Sequence, residues 1–279
     1  MIAGVDLLVV GGLSLDRFPD GAVRGGGAVL HAARALRLAG GSVGSIVSAG
    51  PEPAVQDALG ELAARGPVRL HAGAASIRFA IDERRPRRRL VLEQRGDRLR
   101  ITALEIAAFG AHAVLLAPIA GELGPSAVAA TRGVPLRAAA LQGWLRALRV
   151  GRAGRPLSLH RLSATLLGEL AQLDALTASL EDLAGETDPA VALDALRRRL
   201  GPRPLLVVTN GAAGAWLDLA AGGRFHVPAP QVVEGVSTVG AGDAFAAILA
   251  VELGHGRHPQ EAAHSAAEQV AKLLAGSAG

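Results

Sequence analysis

Hydrophobic and polar residues follow two regular patterns that alternate along this chain. Short apolar runs that end at glycine or polar residues are typical of strands buried on both faces of a parallel sheet. Such runs occupy residues 6–10, 42–49, 112–118 and 205–211. Segments with helical periodicity lie between or after them, at residues 25–41, 53–65 and 244–253. This alternation predicts an α/β fold in which a mostly parallel central sheet carries helices on both faces.

A different pattern covers residues 75–100, where apolar and polar residues roughly alternate on both sides of a polar turn. This pattern is typical of an antiparallel β hairpin. The turn carries five arginines, namely Arg84, Arg85, Arg87, Arg88 and Arg89. A solvated turn is the simpler interpretation of this cluster, and contact with a phosphorylated ligand or a partner is the alternative. We therefore predict one domain over residues 1–279, with a β lid around residues 75–100.

The composition narrows the class of protein. Aromatic residues make up 3% of the 279 residues and tyrosine is absent, so the core must consist mainly of alanine, leucine and valine. The net charge of +4 comes from arginine, and the arginine cluster lacks the interleaved aromatics of a nucleic-acid surface. No apolar run approaches the roughly 18 residues of a membrane span. The chain has no cysteine and no N-terminal signal pattern, so the cytoplasm is the expected compartment.

A turn of small residues, Gly240-Ala241-Gly242, and the acid Asp243 directly precede the apolar helix candidate at 244–253. The first amides of a helix have no partner within the helix and lie at the positive end of its dipole. Glycines allow an anion to approach such amides closely. A phosphoryl group bound there would leave Asp243 able to accept the proton of an attacking hydroxyl. The alternative is that Asp243 only caps a buried helix and the glycines only form the turn.

Two other phosphate-binding motifs are excluded. A P-loop requires a lysine followed by serine or threonine, but the chain's single lysine, Lys272, is followed by Leu273. A dinucleotide fingerprint requires a third glycine, and Phe245 and Leu30 stand at the two positions where one would be needed. The turn at 240–243 is therefore the main candidate for phosphate chemistry.

The segment STVGAGDAF at 237–245 resembles the C-terminal signature of the ribokinase-like, PfkB-type carbohydrate kinases, usually D-T-T-G-A-G-D-x-F. Three further segments are similar to family elements in the same order: VVGGLSLD, GGGAVLHAARALRLAG and LLVVTNGAAGAWL. The segments IRFAIDERRPRRRLVL, LLAPIAGEL and LQGWLR resemble the branch that includes myo-inositol kinases. The resemblance extends over nearly the whole chain, and it implies a ribokinase-like fold.

The resemblance also implies roles for single residues. Asp243 would be the general base, and the amides of Gly240, Ala241 and Gly242 would form the anion hole. The acceptor would bind to Asp16, Gly26, Gly27 and His31, where His31 replaces the family's asparagine. The nucleotide would contact Thr209, Gly211, Gly214, Thr238 and Ser179. The segment SLED replaces the family's N-x-x-E, which leaves Glu181 and Asp182 as the candidates for Mg²⁺.

Two functions follow from these expectations. The first is an ATP- and Mg²⁺-dependent kinase that phosphorylates a hydroxyl of a small sugar, polyol or nucleoside. The second is a degenerate relative that binds a ligand without turnover, because Ser237 and Val239 replace the acid and the second threonine of the signature. The lids of such kinases often pair, so a homodimer through the lid is a further expectation.

Overall fold

The structure is a computed structural model that describes residues 4–83, 89–157, 159–230 and 237–276. Of the arginine cluster, only Arg89 lies within these residues.

The strands are β1 (Leu7–Gly12), β2 (Ser14–Arg17), β3 (Val23–Gly26), β4 (Val43–Ala49), β5 (Val68–Ala72), β6 (Ile77–Asp82), β7 (Arg89–Gln94), β8 (Ala113–Leu116), β9 (Leu136–Ala140), β10 (Arg146–Ala147), β11 (Arg155–Pro156), β12 (Ala175–Ser179), β13 (Leu205–Thr209), β14 (Ala215–Asp218) and β15 (Arg224–Val227).

The α-helices lie between these strands and at the C-terminal end. They are α1 (Ala28–Ala39), α2 (Pro53–Ala63), α3 (Ala103–Ala107), α4 (Pro125–Ala130), α5 (Gln142–Leu145), α6 (Ala164–Leu170), α7 (Pro189–Leu200), α8 (Ala241–Gly254) and α9 (Pro259–Gly276). Within the described ranges, no helix is both long enough and apolar enough to cross a bilayer.

The central sheet has nine strands in the order β15-β14-β13-β12-β9-β8-β1-β4-β5. The seven strands from β13 to β5 pair in parallel, and β14 and β15 add an antiparallel edge. This confirms the predicted mostly parallel sheet.

The side chains of one strand pack on both faces of the sheet, because their direction alternates along the strand. In β1, Leu7 and Val9 belong to the core cluster that includes α1, α2, α8 and α9, while Leu8 and Val10 belong to the cluster that includes α4, α6 and α7. All four side chains are fully buried. Helices therefore cover both faces, as predicted.

A second sheet of four strands, in the order β3-β2-β6-β7, forms the lid. The predicted hairpin is confirmed as β6 and β7, although these strands end at Gln94 rather than near residue 100. The lid also contains β2 and β3, which the sequence did not predict. The expectation of a helix beginning at Gly25 was wrong, because Gly25 and Gly26 pair in β3 and α1 begins at Ala28. A side chain at Gly25 would lie 2.3 Å from the carbonyl oxygen of Ala54 in α2, so close packing explains the glycine there.

Candidate active site

A cleft of about 570 Å³ lies where the parallel strands end and the lid begins. Ser179 and Thr209 line it at the carboxyl ends of β12 and β13, and Asp16 lines it from β2, directly after β1. The carboxyl ends of parallel strands meet at one edge of a sheet, which is where ligands bind in open α/β folds. The structure thus brings residues from distant parts of the chain into one cavity.

The small-residue turn at the start of α8 forms one wall of this cleft. Gly240 has a left-handed backbone (φ 84°, ψ −4°) and is followed by the first helical residue, Ala241. The turn is partly exposed, and Asp243, in the first turn of the helix, lines the cleft. The residue predicted as the general base therefore lies in the wall of the cavity.

The three amides predicted for the anion hole are not equivalent. The Ala241 amide donates to the carbonyl oxygen of Thr238 at 3.1 Å, so the turn itself uses this donor. Among the described residues, the amide of Gly242 has no backbone acceptor, and neither has that of Gly240. The Ala241 amide therefore has an acceptor within the turn, whereas the two glycine amides do not. The role of the three amides as an anion hole stays a prediction.

His31 of α1 packs directly against this turn. A methyl group at Gly240 would lie 2.2 Å from Cγ and Nδ1 of the His31 ring. Both residues line the cleft. His31 therefore helps to shape the small-residue turn as well as the predicted acceptor pocket.

The part of the cleft predicted to bind the acceptor is lined by a buried carboxylate and by apolar side chains. Asp16 is 6% exposed on β2, and Gly27 enters α1 with φ 112°. Gly26 does not line the cleft; a methyl group there would lie 2.1 Å from Oδ2 of Asp16, so this glycine leaves room for the carboxylate. The lid sheet contributes apolar side chains on the same face as Asp16: Phe79, Ile81 and Leu90.

The predicted nucleotide residues lie together on the other side of the cleft. Thr209, Gly211, Gly214, Thr238 and Ser179 all line it. Beyond them the lining is apolar, formed by Ala212, Ala229, Pro230, Ala267, Val270, Ala271 and Leu274.

The backbone at Gly214 allows a close approach of two strands. Gly214 has φ 89°, and a methyl group there would lie 2.2 Å from the carbonyl oxygen of Val227. The glycine is thus required by the turn between β13 and β14, and the turn is closed by a hydrogen bond from the Asn210 amide to the Gly214 carbonyl at 2.8 Å.

The two candidates for Mg²⁺ occupy different environments. Glu181 lines the cleft with 49% of its side chain exposed, whereas Asp182 is 2% exposed and does not line it. The carboxylate of Asp182 accepts a hydrogen bond of 2.5 Å from Nε of Arg146. Within the described residues, no three acidic or histidine side chains are close enough to hold a metal by themselves. Mg²⁺ commonly binds through one or two carboxylates together with substrate phosphates, so the residues present fit it through Glu181 and not through Asp182.

Among the described residues, five polar ones line the cleft without having been predicted from the sequence: Ser14, Glu83, Gln142, Arg146 and Asn210. Glu83, at the end of β6, accepts a hydrogen bond of 2.9 Å from Oγ of Ser237, which joins the lid to the segment before the turn. Gln142 and Arg146 follow β9 and also line the cleft. Their position directly after a buried, alanine-rich strand was the available signal.

The comparisons with known proteins agree with this arrangement. Residues 150–279 match the sequence model described as pfkB family carbohydrate kinase. No curated protein sequence matches the chain. The predicted resemblance to this family is confirmed, and the family match includes the small-residue turn and Asp243.

Solved structures extend the likeness to nearly the whole chain. A pyrophosphate-dependent kinase in the ribokinase family, complexed with a pyrophosphate analog and myo-inositol, is 19% identical with a TM-score of 0.79, over 96% of this chain and 95% of its own. Arabidopsis thaliana ribokinase, complexed with ribose and ATP, is 17% identical with a TM-score of 0.70, over 98% and 99%. A nucleoside kinase of Burkholderia thailandensis, in complex with inosine, is 17% identical with a TM-score of 0.70, over 96% and 90%. The predicted ribokinase-like fold is therefore confirmed.

Proposed function

We propose that the protein is a kinase that transfers a phosphoryl group to a hydroxyl of a small sugar, polyol or nucleoside. The observation that carries the proposal is the arrangement of Asp243 and the Gly240–Gly242 turn in the same cleft as Asp16. In the reaction, Asp243 takes the proton of the acceptor hydroxyl as its oxygen forms a bond to the terminal phosphorus of the donor. The bond between that phosphorus and the bridging oxygen breaks, and the electron pair leaves with the remaining phosphate of the donor.

The acceptor would contact both the carboxylate of Asp16 and the apolar side chains of the lid sheet. A carboxylate accepts hydrogen bonds at both oxygens, so Asp16 suits two neighbouring hydroxyls. The lid side chains Phe79 and Ile81 would cover the apolar face of the acceptor and exclude water from the reacting atoms.

We propose ATP as the donor. The apolar lining that includes Pro230, Val270 and Leu274 suits a nucleobase, and Thr209 and Gly211 line the same cleft. Pyrophosphate is the second candidate, since the structures similar to this chain include a pyrophosphate-dependent kinase as well as one complexed with ATP. Mg²⁺, when bound by the donor phosphates within reach of Glu181, would neutralise part of their charge.

Binding without turnover is the second candidate function. It is favoured by Ser237, whose hydroxyl donates to Glu83 at a position where the family signature has an acid. The exposure of Asp243 to the cleft favours catalysis instead.

The test is donor consumption over a panel of pentoses, hexoses, inositols and nucleosides, with ATP and with pyrophosphate. Asp243→Asn is expected to lower kcat about 10²–10⁴-fold, the usual contribution of general base catalysis, while donor binding is retained. Asp57→Asn on the exposed face of α2 is the matched control and should leave kcat unchanged. Undiminished turnover by Asp243→Asn would contradict the mechanism. Nucleotide binding with no turnover on any acceptor would favour the second function.

A further inference from the structure

Arg146 lines the cleft, and the sequence analysis assigned no role to it. Among the described residues that line the cleft, it is the single arginine or lysine. Resting on the proposed function, we infer that Arg146 binds the phosphate groups of the donor and that Asp182 acts as its positioning residue.

The place of Arg146 in the sheet supports this role. It follows β9, which lies between β12 and β8 in the central sheet. The predicted donor residues follow β12 and β13 on one side, and Asp16 follows β1 on the other. Helix α8 packs against β8 and β9, so its first turn lies over the same central strands. Arg146 is thus placed between donor and acceptor, where the transferred group must pass.

The contacts of Arg146 hold its guanidinium in one orientation. Its side chain is 10% exposed, and Nε donates to the 2%-exposed carboxylate of Asp182 at 2.5 Å. One terminal nitrogen lies 3.4 Å from the half-exposed carboxylate of Glu181. The other terminal nitrogen has no hydrogen-bond partner among the described residues. A guanidinium that is fixed at Nε, and that has one terminal nitrogen without a partner among the described residues, is oriented to donate to a phosphate oxygen.

The acidic residues of the cleft would oppose the binding of a phosphate donor unless a cation compensates for their charge. Among the described residues, four acidic ones line the cleft: Asp16, Glu83, Glu181 and Asp243. A di- or triphosphate brings several further negative charges, which repel carboxylates strongly in a partly desolvated cavity. Arg146 provides a permanent positive charge on the protein side, so its removal should weaken binding of any polyphosphate, whether ATP or inorganic pyrophosphate.

The experiment measures direct binding of ATP and of inorganic pyrophosphate by calorimetry, each with and without Mg²⁺. Arg146→Gln is expected to weaken binding of the donor about 10–100-fold, as loss of a charge-assisted contact does. Arg146→Lys should recover part of this affinity, because it restores the charge but not the planar fork. The exposed Arg149→Gln is the matched control and should bind as the wild type does. The two ligand arms show whether the site takes the nucleotide, pyrophosphate, or both.

A double variant separates binding from structural support. Removing one partner of a buried ion pair leaves an unpaired charge and destabilises the fold, whereas removing both is less harmful. Arg146→Gln/Asp182→Asn should therefore unfold at a higher temperature than Arg146→Gln, yet bind the donor equally weakly. Asp182→Asn alone should weaken donor binding less than Arg146→Gln does, and it should leave the acceptor KM unchanged.

The outcomes distinguish this inference from the proposed function. Weaker donor binding by Arg146→Gln in a protein that phosphorylates no acceptor would support the inference and contradict the kinase proposal. Turnover with unchanged donor affinity in Arg146→Gln would overturn the inference alone. Recovery of donor binding in the double variant would also overturn it, since Arg146 would then act only through the fold. A wild-type protein that binds neither ATP nor pyrophosphate would overturn both.

Discussion

Replacing Gly240 with alanine adds one methyl group at the turn that begins α8. The backbone there has φ 84°, a region that residues with a side chain rarely adopt. The added Cβ would also lie 2.2 Å from the ring of His31 and 2.8 Å from its Cβ. The substitution therefore combines backbone strain with a steric overlap inside a packed helix pair, α1 and α8.

The expected magnitude follows from these two contributions. A left-handed backbone costs a residue with a side chain about 1–2 kcal/mol. An overlap that forces neighbouring side chains or backbone to move costs about 1–3 kcal/mol. We expect Gly240→Ala to lower the free energy of unfolding by about 2–5 kcal/mol, a large part of the stability of a typical domain. Donor binding should weaken as well, because the turn that presents the amides must shift.

The assay is urea denaturation followed by tryptophan fluorescence, with a double-mutant cycle through His31. His31→Ala removes the ring atoms at 2.2 Å but keeps the Cβ at 2.8 Å, so in that background the cost of Gly240→Ala should fall towards the backbone contribution of about 1–2 kcal/mol without reaching it. Gly242→Ala is the matched control in the same turn. A methyl group there meets no atom within 4 Å, and its backbone is not left-handed. Alanine in a helix is favoured over glycine by about 0.5–1 kcal/mol, so this variant should be at least as stable as the wild type.

Equal stability of Gly240→Ala and the wild type would refute this reasoning. So would a cost that is the same with and without the His31 ring, because the overlap would then contribute nothing. A stable Gly242→Ala protein that no longer binds the donor would locate the close approach of phosphate at Gly242, since the protein itself leaves room for the methyl group.

Two further predictions concern stability. Glu122 is 5% exposed, and its carboxylate accepts hydrogen bonds from the amides of Gly12 and Ile119, at 2.9 and 3.0 Å. Glu122→Ala should cost about 2–5 kcal/mol in urea denaturation because buried amides lose their acceptor, and Glu122→Gln should cost less; equal values would contradict this. The hydrogen bond from Arg34 lowers the pKa of Glu61 below its ordinary value of 4.5. A lowered folded-state pKa stabilises the protein above the unfolded value, and this stabilisation is lost as the pH falls through the folded pKa. The difference in unfolding free energy between the wild type and Glu61→Gln should therefore be largest near neutral pH and shrink on acidification; a difference independent of pH would argue against it.

The sequence predicted the parts of the fold that depend on local pattern. A run such as LLVV in β1 must be buried on both faces, whichever strands become its neighbours, and the structure has Leu7 and Leu8 in two different core clusters. Strands β2 and β3 were missed for a physical reason. They are four residues each, and β3 is largely exposed and ends in glycines. Strand β2 pairs with β6, a strand more than fifty residues away in the chain, and β3 joins the sheet only through β2.

In the candidate site, too, the sequence predicted the features with a local signal and missed those that depend on distant contacts. The turn at 240–243 was found from sequence because small residues before an apolar helix have a direct physical meaning there. Arg146 was not found, since one arginine among many carries no local signal and its contact with Asp182 spans 36 positions. The sequence likewise could not tell Asp182 from its neighbour: Glu181 lines the cleft, and only the fold shows that the carboxylate of Asp182 pairs with Arg146.

The lid and the acceptor pocket are parts of one sheet, which constrains how the cleft can change shape. Asp16 in β2 is the register partner of Phe79 in β6, so the buried carboxylate and the apolar ring lie side by side on hydrogen-bonded strands. The turn of α8 instead belongs to a helix packed on the central sheet, and the bond from Ser237 to Glu83 links it to the lid. A displacement of the lid sheet would therefore carry Asp16 and Phe79 together and alter their distance from Asp243. In the proposed mechanism, acceptor recognition would therefore depend on the lid sheet, and phosphate recognition would depend on α8, which packs on the central sheet.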